Sequence, residues 1–338
     1  MLITENIHVN QNTKTVIITG ALGFIGSHTA KAFRLAGYHV IGIDREWTIP
    51  QGSEFIDQLF IDDFVKITSI IAANNNVEAI IHIAGTSLVG PSLSNPGEYY
   101  DNNVAKTNTM LEDLARQNWQ GKIVFSSSAA TYGNNCDVPI VETAEGVPVS
   151  PYGHSKKMCE YIIADHVRAY GHKGIALRYF NACGCDPEEQ LGNLWNDSHL
   201  IPRVVQSVLE NTTLTIFGND FDTNDGTCVR DYLHVSDIAQ AHLQAVKLCD
   251  SIDNGTFRAY NLGTGQGFSN LEIARSVEQV TGSDVNYEFG PRRLGDPDEL
   301  VADPTKFIKD TEWNPQHSNL STIVSTTYNW MKKHEMVS

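Results

Sequence analysis

Val16-Ile17-Ile18-Thr19 is a short, β-branched apolar run that passes directly into Gly20-Ala21-Leu22-Gly23-Phe24-Ile25-Gly26. A run of this kind reads as a buried strand. Ser27 to Leu35 then has helical periodicity, Gly37 stops it, His39 to Ile43 reads as a second strand, and Asp44 stands at its end. Strand, glycine turn, helix, strand and acid in this order leave few folds open. The glycines permit a tight turn, bring backbone N–H groups close to a pyrophosphate, and let helix and strand pack closely. The helix N-terminus then faces the phosphates. Asp44 is placed to hydrogen-bond a ribose diol and to repel a 2′-phosphate, which favours NAD over NADP. Arg45 next to it works in the opposite direction.

The alternation continues along the chain. Strands are expected at Phe55 to Ile61, Ala79 to Ile83, Lys122 to Phe125 and Ile175 to Phe180. Helices are expected at Asp63 to Ala73, Pro96 to Gln117 and Pro151 to Tyr170. Repeated strand and helix predict an α/β fold with a doubly wound parallel sheet, a Rossmann sheet. Ligands of such sheets sit at the C-terminal strand ends. Gly20, Asp44, Asp62, Gly85, Ser128 and Asn181 all fall at those ends. From residue 182 to 229 the chain is rich in Gly, Asn, Asp and Pro, with a helix near 201–209 and a short strand at 213–217. Further on, 237–248 reads as helix, 259–262 as a strand returning to the main sheet, 269–280 as helix and 285–289 as strand, before a C-terminal helix. The expected division is a sheet-bearing unit of 1–181 plus about 230–263, and a smaller mixed α/β unit of 182–229 plus about 264–338, with a cleft between them.

Composition narrows the partners. A formal charge of −16 over 338 residues offers no positive field for nucleic acid or an anionic membrane. An anionic substrate therefore needs a local cluster of Arg or Lys. Six cysteines in a chain this long do not make a disulfide scaffold, and Cys183-Gly184-Cys185 is too tight for a zinc knuckle. The thiols are expected to be reduced, in the cytoplasm, with no metal site. The first fourteen residues lack the apolar core of a signal peptide, and the first dozen read as a frayed extension. No apolar run reaches the ~18 residues of a membrane span.

Ser150-Pro151-Tyr152-Gly153-His154-Ser155-Lys156 carries the chemistry. Ser150 reads as a helix cap and Pro151 as the first helical residue. Tyr152 and Lys156 then lie on one face, a turn apart. An ammonium beside a phenol lowers the phenol's pKa, giving a base near neutral pH. Alone this pair is weak evidence. Ser128 at a strand end completes a Ser, Tyr, Lys set.

With the glycine turn, this set resembles the short-chain dehydrogenase/reductase superfamily. The long C-terminal part resembles its extended, nucleotide-sugar branch, and within it the UDP-glucose (UDP-galactose) 4-epimerase family. The stretches that carry the resemblance run from about residue 15 to 335. They are TGALGFIGSHTA, EYYDNNV, FSSSAATYG, SPYGHSK, RYFNACG, IFGNDFDTNDGTCVRDYLHVSDIA, YNLGTGQGFSN and PRRLGD. The resemblance implies NAD-dependent interconversion of UDP-glucose and UDP-galactose through a 4-keto sugar. It implies that Gly20, Gly23, Phe24, Ile25 and Gly26 line the pyrophosphate turn, and that Asp44, Ile61, Asp62, Ala84 and Gly85 meet the rest of the cofactor. Asn102, Tyr152, Lys156 and Tyr179 would surround the nicotinamide and its ribose, with Ser128 and Tyr152 at the sugar 4-hydroxyl. Asn181, His199, Leu200, Phe217, Arg230, Arg293 and Asp296 would bind UDP, and Leu300 would border the sugar. Arg230 and Arg293 fit that role unaided, because a diphosphate in so acidic a chain needs fixed guanidinium groups. Taken singly, each Arg reads as a surface ion pair and Phe217 as a core side chain. The family also forms homodimers through a four-helix interface, here 96–117 and 151–170, to which Met158, Tyr161 and Ile162 would contribute.

The chain departs from the bacterial epimerase pattern at Ser87, His199 and Ala130, where Lys, Asn and Thr are usual, and at Leu300, where some relatives carry Tyr. A 4-epimerase of UDP-N-acetylhexosamines or UDP-uronic acids is the alternative that these positions leave open. A nucleotide-sugar 4,6-dehydratase needs an acid pair where Ala129 and Ala130 stand. A non-enzymatic NAD-binding protein on this fold would be free to lose Tyr152 or Lys156, and both are present.

Overall fold

The computed structural model describes residues 2–3, 13–45, 51–74, 76–134, 136–193, 199–293 and 295–334. Its strands are β1 (Leu2–Ile3), β2 (Thr15–Thr19), β3 (His39–Asp44), β4 (Gln58–Ile61), β5 (Val77–His82), β6 (Lys122–Ser128), β7 (Lys173–Tyr179), β8 (Asn181–Cys183), β9 (Leu214–Phe217), β10 (Val229–His234), β11 (Phe257–Leu262), β12 (Gly267–Ser269), β13 (Tyr287–Gly290) and β14 (Glu299–Leu300). Its helices are α1 (Phe24–Leu35), α2 (Ile67–Ala73), α3 (Val89–Ser94), α4 (Pro96–Tyr99), α5 (Lys106–Arg116), α6 (Pro151–Tyr170), α7 (Leu200–Glu210), α8 (Val235–Leu248), α9 (Asn270–Thr281), α10 (Thr305–Asp310) and α11 (Leu320–Lys333).

The main sheet has the order β1-β4-β3-β2-β5-β6-β7-β11. All its neighbours run parallel except the antiparallel β1–β4 pair. The order reverses between β2 and β5, which opens a crevice at their C-terminal ends. The central strands are apolar throughout because helices cover both faces. One face packs Val16, Ile18, Val124 and Leu177 with Phe33 of α1 and Ile238 of α8. The other packs Ile17, Ile80 and Ile123 with Leu111 of α5 and Ile163 of α6. A separate core joins α7, α9 and α11 through Val204, Val277 and Val324. It lies against a smaller sheet in which β10 pairs with β12, β14 and β8.

Several expectations are corrected. The strand expected at 55–61 starts at Gln58, and Ser53–Phe55 forms a 3-10 turn. Asp57 marks the break: its carboxylate accepts from the Val40 amide at 2.8 Å and pairs with Arg34. The helix expected over 96–117 is interrupted by a π segment, Tyr100–Ala105. Helix α3 and strand β10 were not expected, and β10 places residues 229–234 in the smaller sheet. Within the expected frayed extension, Leu2 and Ile3 pair with Phe60 and Leu59. The rest of that dozen lies outside the described residues.

Candidate active site

The glycine turn follows β2 directly. Gly20 N–H donates to the Ile43 carbonyl at 2.8 Å, which ties the turn to β3. Asp44 closes the other side, its carboxylate accepting from the Leu22 amide at 2.9 Å and the Arg45 amide at 2.8 Å. Gly26 lies where α1 passes over the turn: a Cβ there would stand 1.9 Å from the Gly20 carbonyl oxygen. No side chain fits, so the bare backbone and helix N-terminus face the crevice.

Above the turn is a cavity of about 540 Å³. All six strand-end residues, Gly20, Asp44, Asp62, Gly85, Ser128 and Asn181, line it. So do Gly23, Phe24, Ile25, Gly26, Ala84, Asn102, Tyr152, Lys156 and Tyr179. Ile61 does not, because its neighbour Asp62 occupies the rim. Arg45, Phe64, Ser126 and Asn193 line the cavity too, and no sequence motif marked them as a group. The π segment aims Asn102 inward. Its amide nitrogen donates to Thr86 Oγ1 at 2.9 Å, and its oxygen accepts from Lys106 Nζ at 2.8 Å and Arg45 Nη1 at 3.3 Å.

Helix α6 begins as expected. Ser150 Oγ accepts from the Gly153 amide at 3.1 Å, and Pro151 holds the first position. The helix presents Tyr152 and Lys156, both buried, to the end of β6. Ser128 faces the Tyr152 phenol, whose ionised form it favours, and accepts from the Ala130 amide at 3.2 Å. Lys156 Nζ donates to the Ser126 carbonyl at 2.8 Å and lies 4.9 Å from the Phe125 ring centroid.

This geometry overturns one expectation. The ammonium is turned to β6 and stands 6.0 Å from the Tyr152 ring centroid. Burial therefore wins, pushing the Tyr152 phenol above its ordinary value despite the influence of Ser128. The same burial lowers Lys156 to about 8. Tyr179 lines the cavity while its hydroxyl lies 2.5 Å from His242 Nε2, and burial raises its pKa.

A second cavity of about 180 Å³ adjoins the first, and Asn181, Ala182 and His199 belong to both walls. Its lining includes Leu200, Phe217, Arg230, Arg293 and Asp296. His199 is the residue before α7, so the positive end of that helix opens into the cavity. Arg230 is fixed by the Val229 and Pro297 carbonyls, at 2.8 and 3.0 Å, and lies 3.6 Å from Asp296. The Arg293 guanidinium stacks 4.2 Å from the Phe217 ring centroid. Leu300 is not brought to either cavity: it packs beside Ala129, Tyr132 and Phe180 because β14 pairs with β10.

The model of the NAD dependent epimerase/dehydratase family matches residues 16–263. This chain belongs to that family. It is 39% identical to the UDP-glucose 4-epimerase of Halalkalibacterium halodurans over 94% of this chain and 96% of that protein. The structure of a UDP-glucose 4-epimerase from Brucella ovis in complex with NAD superposes with a TM-score of 0.87, at 36% identity, over 94% of this chain and 98% of that one. That from Bifidobacterium longum in complex with NAD+ and UDP gives 0.87 at 33% identity, over 95% and 99%. The glycine turn fits the dinucleotide such a family uses, since Gly26 leaves bare backbone where a pyrophosphate needs it.

Proposed function

We propose that the protein interconverts UDP-glucose and UDP-galactose with a bound NAD, by oxidation and re-reduction of the sugar at C4. One observation carries the reading. Ser128, Tyr152 and Lys156 stand in the glycine-turn cavity, which shares a wall with the cavity holding Arg230 and Arg293.

Gly20, Gly23, Phe24, Ile25 and Gly26 hold the cofactor pyrophosphate. Asp44 holds the adenosine ribose, Asp62 lies on the adenine side, and Asn102, Lys156 and Tyr179 surround the nicotinamide ribose. When bound, NAD would supply reversible hydride chemistry at C4 of the sugar and, in its oxidised form, a positive charge. Tyr152 takes the 4-hydroxyl proton, directly or through Ser128, as C4 becomes a ketone, and returns it as the alcohol re-forms. A phenol this deeply buried ionises only with positive charge beside it, which ties proton removal to the oxidised cofactor. Arg230, Arg293 and the α7 N-terminus hold the diphosphate, and Phe217 offers its ring to uracil. The keto sugar turns while UDP stays clamped, so hydride returns to its other face.

The unit built on the large sheet carries the cofactor, and residues 182–229 and about 264–338, joined by Arg230 on the smaller sheet, carry the nucleotide sugar. A second copy is expected to dock on the helical stretch 96–117 and on α6, where Met158 and Tyr161 are exposed. Ile162, by contrast, packs against the main core. The cytoplasm is the expected compartment, supported by six unpaired cysteines. No described helix is long and apolar enough to cross a membrane.

The test is to incubate purified protein, with no added NAD, with UDP-glucose, UDP-galactose, UDP-GlcNAc and UDP-glucuronate, and to separate the products. Interconversion of the first two, and release of nicotinamide nucleotide on denaturation, are expected. Interconversion confined to either of the other sugars would refute the stated substrate pair.

A further inference from the structure

Glu160 lies one turn beyond Lys156 and two beyond Tyr152 on α6, and is 4% exposed. The proton transfer above does not use it. Its Oε1 accepts from Ser127 Oγ at 2.5 Å and Arg178 Nε at 2.9 Å, and its Oε2 accepts from Arg178 Nη2 at 2.7 Å. Arg178 on β7 also donates to the Tyr132 hydroxyl at 2.6 Å, which in turn donates to Asn261 Oδ1 at 2.7 Å. Well-packed apolar residues often stabilise a core as well as a buried ion pair does. Stability alone is thus a weak reason for this one.

Its position supplies a better reason. Ser127 sits between the two β6 residues that face the reactive pair: the Ser126 carbonyl holds Lys156 Nζ, and Ser128 faces the Tyr152 phenol. One carboxylate therefore grips the strand between both contacts. The groups around Lys156 are Tyr152, Cys159 and Glu160 on α6 and His82 on β5; Arg178 on β7 pairs with Glu160, Tyr179 on β7 lies near Tyr152, and Tyr99 on α4 packs behind Tyr152. Burial keeps His82 neutral, at about 3, and Cys159 protonated, at about 11. Glu160 is the carboxylate among these groups, and burial drives the Lys156 pKa down against the raising influence of Cys159 and then Glu160.

We infer that Glu160 is a positioning residue for Ser128, Tyr152 and Lys156, fixing the end of β6 through Ser127 and holding Lys156 as an ammonium. The inference rests on the proposed roles of Tyr152 and Lys156.

The test compares kcat–pH profiles. Glu160→Gln keeps the shape and removes the charge, and its alkaline limb is expected to move down by about one pH unit, with KM for UDP-galactose unchanged. Ser127→Ala, which keeps the charge, is expected to lower kcat at every pH and leave the limb in place. Should Glu160→Gln fold poorly, pairing it with Arg178→Met removes the buried cation along with the anion, so the two fields on Lys156 cancel; the limb is then expected to stay while kcat falls at every pH, because β6 has lost its grip. A wild-type limb in Glu160→Gln, or a wild-type kcat in the double variant, overturns the inference when the protein retains bound NAD and a native circular dichroism spectrum. So does a loss that is uniform across pH in Glu160→Gln. Absence of interconversion in the wild-type chain refutes the proposed function and this inference together, whereas interconversion with an unmoved limb refutes this inference alone.

Discussion

Gly26→Ala tests the link from sequence to cofactor in one methyl group. The backbone at Gly26 is ordinary helix, so alanine brings no dihedral strain there. The whole effect is steric. The added carbon would stand 1.9 Å from the Gly20 carbonyl oxygen and 3.0 Å from Ala21 Cα, where real contacts stop near 3.0 Å. About 1 Å must open between α1 and the turn. Overpacking of this kind costs about 1–3 kcal/mol, and for a chain of 338 residues each kcal/mol lowers Tm by roughly 1–2 °C. The larger consequence is at the turn, because the backbone groups that receive the pyrophosphate are the ones displaced. The assay is the nicotinamide nucleotide released per chain on denaturation, measured beside Tm. Gly37→Ala serves as the control: its Cβ would meet nothing within 4 Å, and its φ of +85° makes alanine cost only about 1–2 kcal/mol of local strain. The expected result is comparable loss of Tm in both variants, with cofactor lost only in Gly26→Ala. Full cofactor content in Gly26→Ala would refute the reasoning.

Tyr152→Phe removes the proton acceptor and is expected to lower kcat by about 10²–10⁴ with UDP affinity retained; near-normal turnover of UDP-galactose would remove Tyr152 from the mechanism. Arg293→Met exposes the Phe217 ring and deletes one diphosphate contact, so KM should rise by about tenfold or more while bound NAD is unchanged, as steady-state kinetics and nucleotide release will show. Ser150→Ala removes the cap of α6 and should cost about 1 kcal/mol in chemical denaturation. His28, His82 and His242 are buried with pKa lowered by desolvation to about 4, 3 and 4. Below pH 6.5 the unfolded chain binds protons that the folded chain refuses, so each histidine lowers stability by up to about 1.4 kcal/mol per pH unit until its folded pKa is reached. Thermal unfolding between pH 7 and pH 5 should show this fall, and a flat Tm over that range would contradict the neutral assignment.

Much of the architecture was legible in local sequence. The succession from Val16 to Asp44 specifies the first βαβ unit because strand period, glycine turn and helix period are all short-range properties. Ser150 and Pro151 mark the start of α6, and the helix in the structure runs from Pro151 to Tyr170, where Gly171 caps it in the left-handed conformation. The six strand-end residues gather at one cavity because parallel strands joined by right-handed crossovers leave all their C-terminal ends on one edge.

Other features depended on partners far away in the chain. Val229–His234 became a strand by pairing with Asn181–Cys183, Gly267–Ser269 and Glu299–Leu300, and no window around residue 230 contains that information. The same pairing carries Leu300 out of the sugar cavity. The spacing of Tyr152 and Lys156 set a shared helix face, yet it did not set the sign of the phenol's pKa. That sign follows from how deeply the pair is buried and from the Ser126 carbonyl that draws the ammonium aside. Glu160 reads in sequence as one more helix acid, and only its burial against Arg178 and Ser127 gives it a partner and a task. Short-range order is written in neighbouring residues, whereas desolvation and ion pairing are properties of the folded surroundings.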